Sequence, residues 1–313
     1  MSRSAPSQDA TSVITQEFFV DAPCPLSVNV PGAVTTLRPG TAANQAEVAL
    51  SVSGCSADEA ERLFDRLALD IRQVKGTIQI TSDLPRADME WWRWIRTFDG
   101  TLHLDVQCPP RVEVDLTIPG GELDIADLTG DFSLSVMGTP CRLANLEGTL
   151  TLRAESSDVT IDQYDGDDLT VSVAVGRLTL NQITADPLTL RSVTAPVSVT
   201  DCGGPATITT RSAPVTLSDH SGPCTVNNRG GSLRYEGCPT DETDLEVVGG
   251  PLTALLPVAC NADLTMTGST MCLDEAFSFD GKRSDEAIIG MLNDGGPALR
   301  LDATGGSVEC QAA

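Results

Sequence analysis

Acidic side chains at turn positions are the first residues in this chain whose type and spacing could do chemistry. Asp162, Asp201 and Asp219, with the run Asp165-Gly166-Asp167-Asp168, offer carboxylate oxygens of the kind that hold Ca²⁺. Calcium-binding nonapeptide repeats need G-G-x-G-x-D, which the chain lacks, and Asp at a corner is also ordinary turn chemistry. Arg153 and Arg191 add basic groups to one face, and polysaccharide cleavage needs paired acids or a basic group beside a groove. No long insertion that would wall such a groove separates the repeats described below. Hydroxyls form two ladders, Thr151, Thr170, Thr189, Thr207 and Thr225 on one face and Thr160, Thr179, Ser198 and Thr216 on the other. Regular hydroxyls can order water against ice, but Arg153 and Arg191 interrupt the first ladder, Arg142 and Arg234 flank the second, and Thr is a favourable outward strand residue anyway. His103 and His220 stand apart from any Cys pair, so no zinc-ligand spacing exists. No Gly-rich phosphate loop, G-x-S-x-G or H-E-x-x-H occurs. The expectation is therefore no catalytic, cofactor-binding or metal-ligating residues. The one partner-binding candidate is Trp91, Trp92 and Trp94 in the segment MEWWRWI, where aromatics either anchor a partner or stack on a sugar, or else plug an open end of the fold.

Charge limits the partners. The 313 residues carry 20 Lys+Arg against 44 Asp+Glu, a net charge of −24, which repels nucleic acid and anionic headgroups. Asp outnumbers Glu 29 to 15 and Lys occurs only at Lys75 and Lys282. Acid spread evenly in this way suits a halophilic protein, because concentrated salt shortens the range of self-repulsion. No run of 18 apolar residues is present, so no membrane insertion is expected. The first thirty residues lack a basic start followed by an apolar block, which points to a cytoplasmic protein, with envelope association or export by another route open. Ten cysteines are widely spaced without C-x-x-C, and reduced thiols acting as small buried hydrophobes account for them best.

Periodicity carries the fold. From residue 131 onward, inward anchors recur at Leu134, Leu152, Val171, Leu190, Ile208 and Val226, separated by 18, 19, 19, 18 and 18 residues. A second set, Leu143, Ile161, Leu180, Val199, Leu217 and Tyr235, follows nine residues behind with the same separations. Leu116 and Ile125 extend the frame upstream. Alternating segments of equal length let equivalent residues stack about 4.8 Å apart, burying a core that no single repeat can bury alone. The prediction is an all-β chain, a parallel β-solenoid (β-helix) of 18–19-residue rungs with an N-terminal cap containing one α-helix.

Three regions follow from this frame. Residues 1–110 form early rungs and the cap, with a helix at about 56–69 announced by the capping box Ser56/Glu59 and the apolar face Ala60, Leu63, Phe64 and Leu67. Residues 111–240 are the regular solenoid. Residues 241–313 are irregular C-terminal rungs and a cap, with inward positions at Leu245/Val247, Leu264/Met266, Phe277/Phe279, Leu299/Leu301 and Val308.

The repeat GTLTLRAESSDVTID and the closing segment GMLNDGGPALRLDATGGSVEC resemble the bacterial putative-adhesin β-strand-repeat family, a domain of unknown function, over residues 20–313. That resemblance implies a β-solenoid of a kind found in exported proteins and in envelope stress sensors, with no catalytic residues to carry over. The function expected is a non-enzymatic, adhesin-like binding or scaffold module presenting a rigid surface to a protein or glycan partner. The alternatives are a self-assembling, filament-like structural protein and, further off, a carbohydrate-active β-helix enzyme.

Overall fold

Side-chain alternation decides the local structure. Along Leu169–Val173 and Leu178–Leu180 the aliphatic residues are buried and the hydroxyls between them face outward, the period of two that an extended chain imposes. The computed structural model describes residues 10–84 and 89–313. These residues form 24 strands and two helices, so the chain is all-β with mostly parallel pairing. Contacts divide it into two compact units, Met1–Gly148 and Thr149–Ala313.

In the second unit the repeat spacing becomes hydrogen-bonded register. Val171 pairs with Leu190, Leu190 with Ile208, Ile208 with Val226, Val226 with Leu245 and Leu245 with Leu301, all parallel. A second column runs Ile161, Leu180, Val199, Leu217, Tyr235, Ala254 and Cys310. Every aliphatic member of the first column is fully buried, each worth about 1.5–3 kcal/mol relative to exposure. The corners recur too. Gln163, Gln182, Asp201 and Asp219 all take left-handed backbone conformations, which turn the chain at the same place in successive repeats. Gly176 occupies another corner at φ +120, where an added Cβ would lie 2.1 Å from the Ser157 carbonyl oxygen, so no larger residue fits. The end of this unit departs from the frame. Strand Ala298–Ala312 pairs in parallel with both Thr243–Val248 and Leu252–Leu256, while Phe279–Arg283 and Ile288–Leu292 form an antiparallel pair in the intervening stretch.

The first unit combines parallel ladders with an antiparallel portion. Leu116 pairs with Leu134 and with Val28, placing the upstream anchor in the expected register, and Ile125 pairs with Leu37. Strand Gln45–Ser53 runs antiparallel to both Ala10–Phe19 and Thr101–Cys108. Helix α1 (Ala57–Leu67) starts as the sequence predicts. The Ser56 backbone N–H donates to the Glu59 carboxylate at 2.9 Å, while Ser56 Oγ accepts from the Glu59 N–H. Ala60, Leu63 and Leu67 are buried, and Ala68 ends the helix in the left-handed conformation. A second helix, α2 (Met89–Ile95), contains the three tryptophans, so the expectation of a single helix is corrected.

Cysteine behaviour differs from expectation at one pair. Cys238 and Cys260 form a disulfide, their Cα atoms 5.5 Å apart. Wide sequence spacing hid this pair, because the fold brings the two together across 22 residues. Cys108, Cys141, Cys202, Cys224 and Cys310 are buried thiols, each pushed up to about 12 by burial, and Cys272 is an exposed one.

Candidate functional site

The second unit carries an open groove of about 680 Å³ along the ends of five successive repeats. Its lining comes from Arg153–Glu155, Ser172–Ala174, Arg191–Val193, Thr209–Arg211 and, in the last repeat, Asn227 and Arg229. Register explains the layout. Ser172, Arg191, Thr209 and Asn227 form one outward column, and Arg211 stands opposite Arg229 in another. The first repeat joins through backbone bonds from Ala174 N–H to the Ala154 carbonyl and from Thr194 N–H to that of Ala174, each 3.0 Å. Small residues at Ala154, Ser172 and Ala174 leave room between the longer side chains.

The electrostatics of this groove oppose those of the chain. Arg153, Arg191, Arg211 and Arg229 are all exposed, and Glu155 is the only acid in the lining. The ion pairs among the described residues use Arg38, Arg72, Arg234 and Arg300, so none of the four groove arginines has a carboxylate partner. On the next strand Glu246 stands in register with Asn227 and ends the basic stretch. Thr210, a lining residue only 2% exposed, has a buried hydroxyl without a hydrogen-bond partner among the described residues. Such a surface can hold an anion by charge and by forked guanidinium hydrogen bonds, with hydroxyl and amide groups beside them.

Sequence reasoning identified Arg153 and Arg191 on one face but missed Arg211 and Arg229. A signal was available: the first two follow an inward anchor by one residue and the last two by three, so all four share outward parity. The acids divide between two positions, with Asp201 and Asp219 at the same corner of adjacent repeats and Asp162 apart from them. Asp162 accepts a 2.7 Å hydrogen bond from Asn181, its partner in the adjoining strand, while Asp201 and Asp219 sit one position later at the left-handed corner. Tyr164 donates to the Asp168 backbone carbonyl at 2.6 Å, tying down the Asp-rich turn. Among the described residues no group of three or more His, Cys, Asp or Glu side chains could hold a metal ion. Threonine stacks as expected, Thr170, Thr189, Thr207 and Thr225 in one column and Thr160, Thr179, Ser198 and Thr216 in the other. His103 Nε2 lies 3.0 Å from Ser53 Oγ, whereas His220 is buried beside Cys202, and burial lowers its pKa.

The tryptophans take three different places. Trp91 is 2% exposed and belongs to the core of the first unit. Trp94 is half-buried, with its ring 5.6 Å from that of Trp91 and 5.2 Å from that of Phe98, and the Arg66 guanidinium lies 4.8 Å above it. Trp92 is half-buried over Gly120.

No helix among the described residues is long and apolar enough to cross a membrane. No family model and no curated protein matches the chain. Among solved structures the chain is similar to a putative adhesin from Parabacteroides merdae ATCC 43184, at 12% identity over 95% of each chain with a TM-score of 0.44. It is also similar to a putative cell adhesion protein from Clostridium sporogenes ATCC 15579, at 10% identity over 96% of this chain and 100% of that one, TM-score 0.23. A putative lipid binding protein from Parabacteroides distasonis ATCC 8503 is similar at 9% identity over 96% of this chain and 98% of that one, TM-score 0.33.

Proposed function

We propose that this chain is a non-enzymatic, adhesin-like binding module in which a parallel β-solenoid of 18–19-residue rungs holds a rigid face toward its partner. The observation that carries this reading is the groove: four arginines without carboxylate partners, gathered on one surface of a chain with net charge −24. Rigidity supports it. Leu188–Ser192 and Ala206–Arg211 are each paired on both sides, so the backbone that projects these side chains is already fixed at strand spacing and needs no ordering on binding. The half-buried Trp92 and Trp94 of α2 form a second, independent candidate for partner contact.

Titration with inorganic sulfate, followed by NMR, tests the reading. Resonances of Arg191, Arg211 and Arg229 should shift together, and the triple variant R191A/R211A/R229A should lose the response while remaining folded. Shifts confined to other surfaces, or no shift, would remove the groove as the binding site. Release of new reducing ends from any bound glycan would remove the non-enzymatic part.

A further inference from the structure

We infer that the groove takes a linear acidic glycan, a chain of sugars bearing carboxylates, laid along the direction in which the strands stack. This deepens the binding-module reading and rests on it.

Three features of the groove select that chemistry. The first is length: five successive repeats at about 4.8 Å per step give a track of about 19 Å, longer than a single small anion needs. The second is charge spacing. Arginines stand in the first, third, fourth and fifth repeats, spread over neighbouring outward columns, so a polymer with one carboxylate per sugar can meet them at several points along its length. The third is the company the arginines keep. Ser172, Thr209 and Asn227 supply hydroxyl and amide groups of the kind that exchange hydrogen bonds with sugar hydroxyls.

Other polyanions fit less well. Single-stranded nucleic acid binds by stacking bases on aromatic side chains, and the lining has none. An acidic peptide adds to an unpaired strand edge, but the strands Leu188–Ser192 and Ala206–Arg211 are already paired on both sides. A sugar chain needs neither an edge nor an aromatic platform when guanidinium groups grip its carboxylates in forked pairs.

The test is calorimetric titration of the full chain with oligogalacturonates from dimer to octamer, beside their fully methyl-esterified counterparts, poly-aspartate and single-stranded oligothymidylate. Affinity should rise with length until the track is filled and then level off, and methyl esterification should abolish binding. R191A and R211A should each weaken the longest oligomer about tenfold or more, with R191K intermediate because charge is kept and the fork is lost. All these side chains are exposed, and an unchanged melting temperature would separate lost contact from lost fold. Equal binding of the esterified chains, affinity independent of length, or equal or tighter binding of poly-aspartate or oligothymidylate would each overturn the glycan assignment. If sulfate shifts the groove arginines but no oligogalacturonate binds, the assignment fails and the binding module stands. If neither binds, both fail.

Discussion

Arg211 and Arg229 occupy the same register position on adjacent parallel strands, so two cationic side chains stack one repeat apart with no carboxylate partner for either among the described residues. Like charges in direct cross-strand register are unfavourable, and a fold has no structural reason to place them there. An anion between them turns that cost into a preference for ligand.

Replacing one of this pair should therefore separate stability from binding. R229E puts a carboxylate opposite Arg211 and should stabilise the free protein by about 0.2–1 kcal/mol in urea unfolding. The same change should abolish anion binding at the groove. A variant less stable than wild type would show that the two arginines do not repel each other in solution.

The corner at Gly176 should tolerate no side chain. G176A meets both the Ser157 carbonyl oxygen and a backbone conformation closed to L-residues, and should cost about 2–3 kcal/mol. Urea denaturation reads this directly, with G249A, whose added Cβ meets nothing within 4 Å, as the control for strain from positive φ alone.

Burial of His220 makes a specific pH dependence. Its pKa is lowered from 6.5 in the fold, because burial disfavours the charged ring. The unfolded chain binds the proton more readily, so the stability gained from keeping the ring neutral is complete above pH 6.5 and is lost as pH falls below that value. The stability difference between wild type and H220L should shift in favour of the variant between pH 7.5 and pH 5, measured by urea unfolding at each pH. A difference independent of pH would mean that the ring titrates alike in both states.

The disulfide should matter for stability and not for the groove. Removing it as C238S/C260S frees a segment spanning 22 residues and should cost about 3 kcal/mol on the loop-entropy estimate. Anion affinity at Arg191 and Arg211 should be unchanged, since neither residue lies within that segment. Thermal melts and the sulfate titration together check both halves.

Sequence by itself determined the register of the second unit. A spacing of 18 or 19 residues combined with a side-chain period of two leaves one pairing that keeps Val171, Leu190, Ile208 and Val226 buried, and a slip of one residue would expose every one of them. It also determined α1, because a capping box and an apolar face are local signals written within a dozen residues. Tertiary structure alone decided the rest. Outward parity was legible for all four groove arginines, but a concave surface depends on how the corners of five repeats are shaped, which no single repeat encodes. The same holds for the Cys238–Cys260 bridge and for the burial of Trp91 within a tryptophan cluster. Each rests on a distance between segments remote along the chain, and alternation along a strand specifies which way a side chain faces without specifying what it meets there.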